Sequence, residues 1–121
     1  MNTRKTGNRY EELAASLLQK KGYQILERNY RGRTGEIDLV AREDGYLVFV
    51  EVKYRRDADK GGAAAAVNAV KRQHICRTAE YYMQQKGLYG DEKIRFDVVA
   101  VDGRQIHVIR NAFPYIGTFK F

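Results

Sequence analysis

GEIDLVAREDGYLVFVEVKYRR, residues 35–56, sets two runs of β-forming residues around a single Asp-Gly dipeptide. Asp44-Gly45 suits the two central positions of a type I′ hairpin turn, which both need φ > 0. With those residues at the tip, facing positions sum to 89, so Ile37 meets Val52, Leu39 meets Val50 and Ala41 meets Val48. One side of the hairpin is then wholly apolar. On the other, Asp38 stands opposite Glu51 and Glu36 opposite Lys53, with Val40–Phe49 and Arg42–Leu47 completing the face. Like charges directly across two strands destabilise a sheet. The Asp38–Glu51 pair therefore calls for a shared proton, a cation or both. Two hard oxygen ligands with room for water and phosphate suit Mg²⁺ or Mn²⁺. The plainer alternative is that both acids face solvent and pair with nearby arginines. A one-residue slip in the turn would move every side chain to the other face.

Outward from the hairpin, Tyr10, Leu13, Ala14, Leu17 and Leu18 share one helical face, and Gly22 ends that helix. YQILERNYR, 23–31, predicts a strand, and the RGRTG loop leads into strands over about 35–42 and 46–54. A Gly-, Asp- and Lys-rich loop over 55–62 precedes a second helix from about 63 to 86, whose buried face starts with Val67 and Val70 and continues through Ile75, Ala79 and Tyr82. IRFDVVAV, 94–101, predicts a buried strand; Asp102-Gly103 reads as a hairpin turn before a last strand over 104–109. The order αβββαββ belongs to an α/β protein with a mixed sheet and helices against it.

The chain has 121 residues, which predicts a single domain over 1–121 with its own core. Its net charge of +7, from 22 Lys+Arg against 15 Asp+Glu, favours a polyanionic partner, nucleic acid before anything else. Cys76 is the only cysteine, which excludes an internal disulfide and a cysteine-based zinc site and reads as a packing residue. No run approaches the apolar length of a membrane span and no apolar leader opens the chain, so a cytoplasmic protein is expected. His74 and His107 lack metal-ligand spacing and read as packing residues. NAFPYIGTFKF, 111–121, reads as an aromatic segment folding back over a core edge, with base stacking or dimer support as alternatives. Gly-rich phosphate loops, nucleophilic Ser or Cys arrangements and dinucleotide fingerprints are absent from the sequence.

Asp38 followed by Glu51-Val52-Lys53 resembles the D…E-x-K core of the PD-(D/E)XK nucleases, with Ile37 where that name has proline. GNRYEELAASLLQKKGY, then GEIDLVA…LVFVEVKYRR, the Lys71-Arg72-Gln73 helix and RFDVVAV…NAF are similar, over essentially the whole chain, to the YraN family of uncharacterised bacterial proteins. That family is related in pattern to archaeal Holliday junction resolvases. The resemblance implies a restriction-endonuclease-like fold, a central mixed sheet flanked by helices, and a catalytic centre on the hairpin. It makes Asp38 and Glu51 metal ligands, the Val52 carbonyl a third, and Lys53 the group that orients water or stabilises charge. Glu11, four residues after Gly7, would join them from the first helix; charge at a helix N-terminus explains it equally well. Helical geometry favours Glu11 over Glu12, since Glu11 lies at the edge of the apolar stripe. Lys53 reads equally as the partner of Glu36.

A metal-dependent nuclease with Mg²⁺ or Mn²⁺ is the expectation, acting on branched or structured DNA. A non-catalytic nucleic-acid-binding protein and an interaction protein with a basic surface are the alternatives. Arg31, Arg33, Arg55, Arg56, Lys60, Lys71 and Arg72 are the expected phosphate contacts, joined by Arg77, while Gln73 is a candidate to reach the site. Symmetric nicking of a junction would require a homodimer.

Overall fold

The computed structural model of the chain describes residues 3–55, 68–88, 90 and 92–116, with side chains from residue 9 onward except at 55. Helix α1 (Thr3–Lys20) leads into β1 (Gln24–Gly32), β2 (Gly35–Glu43) and β3 (Tyr46–Arg55); α2 (Ala69–Gln85) then connects to β4 (Ile94–Asp102) and β5 (Gln105–Ile109). The strands form one mixed sheet in the order β1-β2-β3-β4-β5. Only β3 and β4 run parallel. Parallel neighbours need a long crossover, and α2 lies in it.

The β2–β3 hairpin turns where the sequence places it. Asp44 has φ 52° and Gly45 φ 80°. Their neighbours pair as Glu43–Tyr46, Arg42–Leu47, Ala41–Val48, Val40–Phe49 and Leu39–Val50, the predicted register. The second hairpin is offset by one residue from its prediction. Asp102 pairs with Gln105, so the tip is Gly103-Arg104 and not Asp102-Gly103.

The two helices cover opposite faces of the sheet. On one, Ala14, Ala15 and Leu18 of α1 meet Leu39, Ala41, Val48, Val50 and Val99. On the other, Ile75, Cys76, Ala79, Tyr82 and Met83 of α2 meet Val40, Leu47, Phe49, Phe96, Val98 and Ala100. Residues of β3 and β4 therefore alternate between two cores, and their acid-free stretches read as unbroken apolar runs. The helix faces are rotated from those expected. Leu13 is 51% exposed and Val70 61% exposed. The buried stripe of α1 is Ala14, Ala15 and Leu18, which Glu11 extends at helical spacing. Asn68 caps α2, its side chain accepting from the Lys71 N–H at 2.9 Å; expected helix residues 63–67, Val67 among them, lie outside the described residues. Phe113 stacks on Phe96, and the Tyr115 hydroxyl donates to Glu80. The described part of the C-terminal segment thus folds over the α2-side core, as expected.

Sequence periodicity concealed a buried ion pair in β4. Asp97 is fully buried and accepts from Arg95 Nε (2.9 Å), Arg95 Nη2 (2.9 Å), the Tyr23 hydroxyl (2.7 Å) and the Asn111 N–H (3.0 Å). Arg95 also donates to Glu43 at 2.8 Å and packs on the Tyr46 ring, which ties β4 to the hairpin tip. Removing one partner strands the other's charge in the core. Asp97→Ala should cost about 3–5 kcal/mol in urea denaturation, whereas Tyr23→Phe, which removes one hydrogen bond, should cost about 1 kcal/mol. Equal losses for the two variants would contradict this account.

Candidate functional site

The predicted hairpin register holds only as far as Leu39–Val50. Beyond it β2 stays paired with β1, through Tyr30–Ile37 and Arg31–Glu36, while β3 stays paired with β4 through Arg55–Asp102. The two central strands part into a notch. Asp38 does not pair across to Glu51. Its Oδ2 instead accepts the Val52 N–H at 2.7 Å, satisfying a backbone donor that the departing strand leaves behind.

A change of face accompanies the parting. Ile37 belongs to the α2-side core and Leu39 to the α1-side core, although strand alternation puts positions two apart on one face. The same slip occurs in β1. Glu27 (to Lys86 at 3.7 Å) and Tyr30 (edge-on to Tyr82) both face α2 from positions three apart. Between them Asn29 has φ 53°, a conformation Asn tolerates better than most residues. After a register shift between Ile25 and Glu27, the β1–β2 ladder keeps one register from Glu27–Val40 on but skips the Asn29–Asp38 pair that this register would contain. The wholly apolar hairpin face containing Ile37 is thus a corrected expectation. With Ile37 turned toward α2, Glu36 and Asp38 turn toward α1.

Glu11 is what α1 places over that break. One helical turn before Ala14 and Ala15, it brings its carboxylate close to the side chains of Asn29 and Asp38. Single carboxylate oxygens of Glu11, Glu36 and Asp38 all lie within 4.8 Å of one another. Burial is the main cause that raises the Asp38 pKa, to about 8; the charge of Glu51 adds to it, the Val52 N–H opposes it, and Glu11 and Glu36 raise it further. Glu11 is raised too, chiefly by burial, with Glu36 and Glu51 contributing. The raised Asp38 pKa favours a proton held among the crowded acids, the shared-proton solution to like charges.

Glu51 is buried on the other lip of the notch. By strand parity it faces α2 with Lys53, whose Nζ lies 3.1 Å from its carboxylate, and Lys71 Nζ of α2 lies 3.6 Å away. Lys53 therefore pairs with Glu51, and Glu36 has a loose contact of 3.9 Å with Arg31. The Val52 N–H donates to one of the site acids, and in an extended strand the carbonyl of the same residue opens on the same edge. The structure brings Glu11, Glu36 and Asp38 together and keeps Glu51 and Lys53 beside them. Glu36 was legible as a member, since it shares Asp38's strand face, but Asn29 was missed; its only signal was a residue type that accepts positive φ.

The expected phosphate contacts divide. Arg31, near the end of β1, and Arg33, in the β1–β2 turn, are exposed, and the turn docks on α2 through a Thr34–Thr78 hydroxyl contact of 2.8 Å. A side chain at Gly32 would come within 3.2 Å of the Tyr81 ring, a contact that the ring would have to yield by a few tenths of an ångström to admit. Lys71 points to Glu51, whereas Arg72 lies over the Phe113 ring. Gln73, His74 and Arg77 are exposed on α2, and His107 is exposed on β5, so neither histidine packs inside. Arg56, Lys60 and the Arg55 side chain lie outside the described residues. The hollow lined by Tyr46, Arg95, Arg110 and Asn111 lies at the hairpin tip, away from the acids, and both its arginines are already bonded to Glu43.

Fold and site together define an α/β protein with a five-stranded mixed sheet, a helix on each face and a carboxylate cluster where the central strands part. The sequence profile of the Uncharacterised protein family UPF0102 matches residues 10–101, and the chain belongs to that family. It is 48% identical over 118 residues to a UPF0102 protein of Lachnoclostridium phytofermentans, covering 98% of this chain and 100% of that one. It is 43% identical over 111 residues to a UPF0102 protein of Fusobacterium nucleatum subsp. nucleatum, covering 92% of each. A UPF0102 protein of Nitrosomonas europaea is 46% identical over 110 residues, 88% of this chain and 92% of that one. Among the described residues no helix is long and apolar enough to cross a membrane.

A carboxyl held above its ordinary pKa of 3.8 gives stability that is fully present below that value and is lost as pH rises toward about 8. Asp38→Asn keeps an acceptor for the Val52 N–H and cannot ionise. In chelator-containing buffer it should therefore melt above the wild type by a margin that grows between pH 4 and pH 8 and then levels. About 4 °C is expected at pH 8 for each 1 kcal/mol of relief. A margin independent of pH would contradict the assignment.

Proposed function

We propose that the protein is a metal-dependent nuclease of the PD-(D/E)XK kind, hydrolysing phosphodiester bonds in nucleic acid, with branched or structured DNA as its first candidate substrate. The observation that carries this reading is the group of three carboxylates crowded on the open side of a parted strand pair in a protein of net charge +7. The mixed sheet with a helix on each face, and the Asp38…Glu51-Val52-Lys53 spacing on its central hairpin, support the same assignment.

The residues fit a divalent cation. Single oxygens of Glu11, Glu36 and Asp38 within 4.8 Å of one another offer the hard oxygen donors that a divalent cation takes. Glu11, Glu36 and Asp38 would hold it, with Glu51 next in reach. A bound Mg²⁺ or Mn²⁺ supplies Lewis-acid polarisation of a phosphoryl oxygen and a more acidic water. The chain supplies the rest. Lys53 and Lys71 bring ammonium groups to the opposite lip, where they stabilise charge on a phosphate in the notch. Arg31 and Arg33 extend the positive surface along the adjoining loop and position the backbone without reading sequence.

The test is a cleavage panel of junction, flap, single-stranded and duplex DNA, and RNA, with Mg²⁺ or Mn²⁺. Asp38→Asn, Glu11→Gln and Lys53→Ala should each lower turnover by roughly 100-fold or more, beyond the 10–100-fold usual for residues that merely support metal ligands. Activity surviving all three would point to a contaminating nuclease. Binding without cleavage would leave a nucleic-acid-binding protein on this fold, and no binding at low salt would remove the nucleic-acid reading. A separate expectation needs no substrate. Mn²⁺ at about 100 times its Kd should stabilise the wild type by about 2.7 kcal/mol, and Asp38→Asn far less.

A further inference from the structure

We propose that the Tyr10–Tyr54 ring pair is a stacking platform for an unpaired nucleobase, so that this site takes nucleic acid with a single-stranded segment at the notch. The inference deepens the nuclease reading and rests on it for the position of the phosphate. The rings are nearly parallel, with centroids 4.2 Å apart and an interplanar angle of 13°. Other described aromatic contacts serve the α2-side core, where Phe49, Tyr82, Phe96 and Phe113 pack ring on ring. Tyr10 and Tyr54 belong to neither core, and Tyr54 is 39% exposed.

Their position is what joins them to the chemistry. Tyr10 precedes Glu11 on α1, and Tyr54 follows Lys53 on β3. Strand parity turns Tyr54 to the α1 side, the side of Glu11, Glu36 and Asp38. Asp38 is fastened to the Val52 N–H, and Tyr54 stands two residues farther along the same strand face, about 6–7 Å away. A base one nucleotide from a phosphate at the carboxylates therefore reaches the rings. Its π-face extends an existing stack, which requires no particular base and little reordering of the protein. In an intact duplex both faces of that base are covered by its neighbours, and exposing one costs a few kcal/mol. A strand already unpaired at a flap, fork, junction arm or loop avoids that cost.

The plain alternative is that the pair only clamps α1 to β3. Equilibrium binding separates the two, with Ca²⁺ replacing Mg²⁺ and with labelled dT oligonucleotide, rU oligonucleotide and blunt duplex DNA as probes. Tyr54→Leu keeps an apolar contact for Tyr10 but has no ring, and Tyr54→Phe keeps the ring. Leucine should weaken oligonucleotide binding on the order of tenfold, within the range measured for loss of one stacked base. Phenylalanine should bind like wild type, and duplex affinity should hold within twofold for both variants while their melting temperatures stay alike. Loss on dT and rU together supports recognition through the base's π-face; loss on one alone shows that the sugar or the thymine methyl group also contributes. Equal oligonucleotide binding by the two variants, or a parallel fall on oligonucleotide and duplex, overturns the platform. Failure of the cleavage panel leaves a positive binding result standing, whereas a wild type that binds neither probe overturns both readings.

Discussion

The hydrogen bond from the Val52 N–H to Asp38 Oδ2 is the constraint on which the site depends. Where β2 and β3 part, the edge of each strand loses the partner that its ladder would supply, and an unsatisfied buried N–H costs about 1–3 kcal/mol. Using a carboxylate as the substitute acceptor fixes the Asp38 side chain at the mouth of the notch. It also couples backbone geometry to charge, because the same carboxylate then lies within reach of Glu11 and Glu36. A backbone discontinuity and an acidic cluster become one feature.

The sheet handles charge in opposite ways at its two ends. At the hairpin tip, Asp97 and Arg95 are buried as complementary partners with their donors and acceptors filled by Tyr23, Glu43 and Asn111. That end gains from burial what geometry provides, and it fastens the parallel β3–β4 pair to the antiparallel hairpin. At the parted end, burial acts on like charges and raises both Asp38 and Glu11. Residual strain of this sort persists only where the surrounding structure enforces it. Here the enforcement comes from the apolar contacts of Ala14, Ala15 and Leu18 on one face and from the Tyr30–Tyr82 packing on the other.

Much of this was legible in the chain, for physical reasons that also mark where legibility stops. Asp44-Gly45 dictates a turn from its own backbone preferences, so five cross-strand pairs followed from one dipeptide. The register failed beyond Leu39 because its continuation depended on β1, whose Asn29 turns positive in φ and shifts the face of both strands. Hydrophobic periodicity could not place Arg95 and Asp97 inside, since their burial relies on Tyr23 and Glu43 arriving from distant parts of the chain. Glu11 was readable to within one step of rotation. It was expected at the margin of the α1 stripe, but the stripe is centred nearer Ala14 and Ala15, which brings it over the acids.

Composition and site then bear on each other. A chain with 22 basic and 15 acidic residues has a field that favours ionised carboxylates, so scattered surface acids would have ordinary or lowered pKa values. Asp38 moves the other way, which means local desolvation and three neighbouring acids outweigh the protein's overall charge. Lys53 and Lys71 do not relieve it, because both are engaged by Glu51 across the notch. One lip thus carries Glu51 with its two lysines, while the other crowds Glu11, Glu36 and Asp38 with only the loose Arg31 contact to Glu36. An arrangement of that kind is best balanced by a ligand that carries both signs. On the proposed reading, a phosphodiester accompanied by a divalent cation would supply that charge pattern.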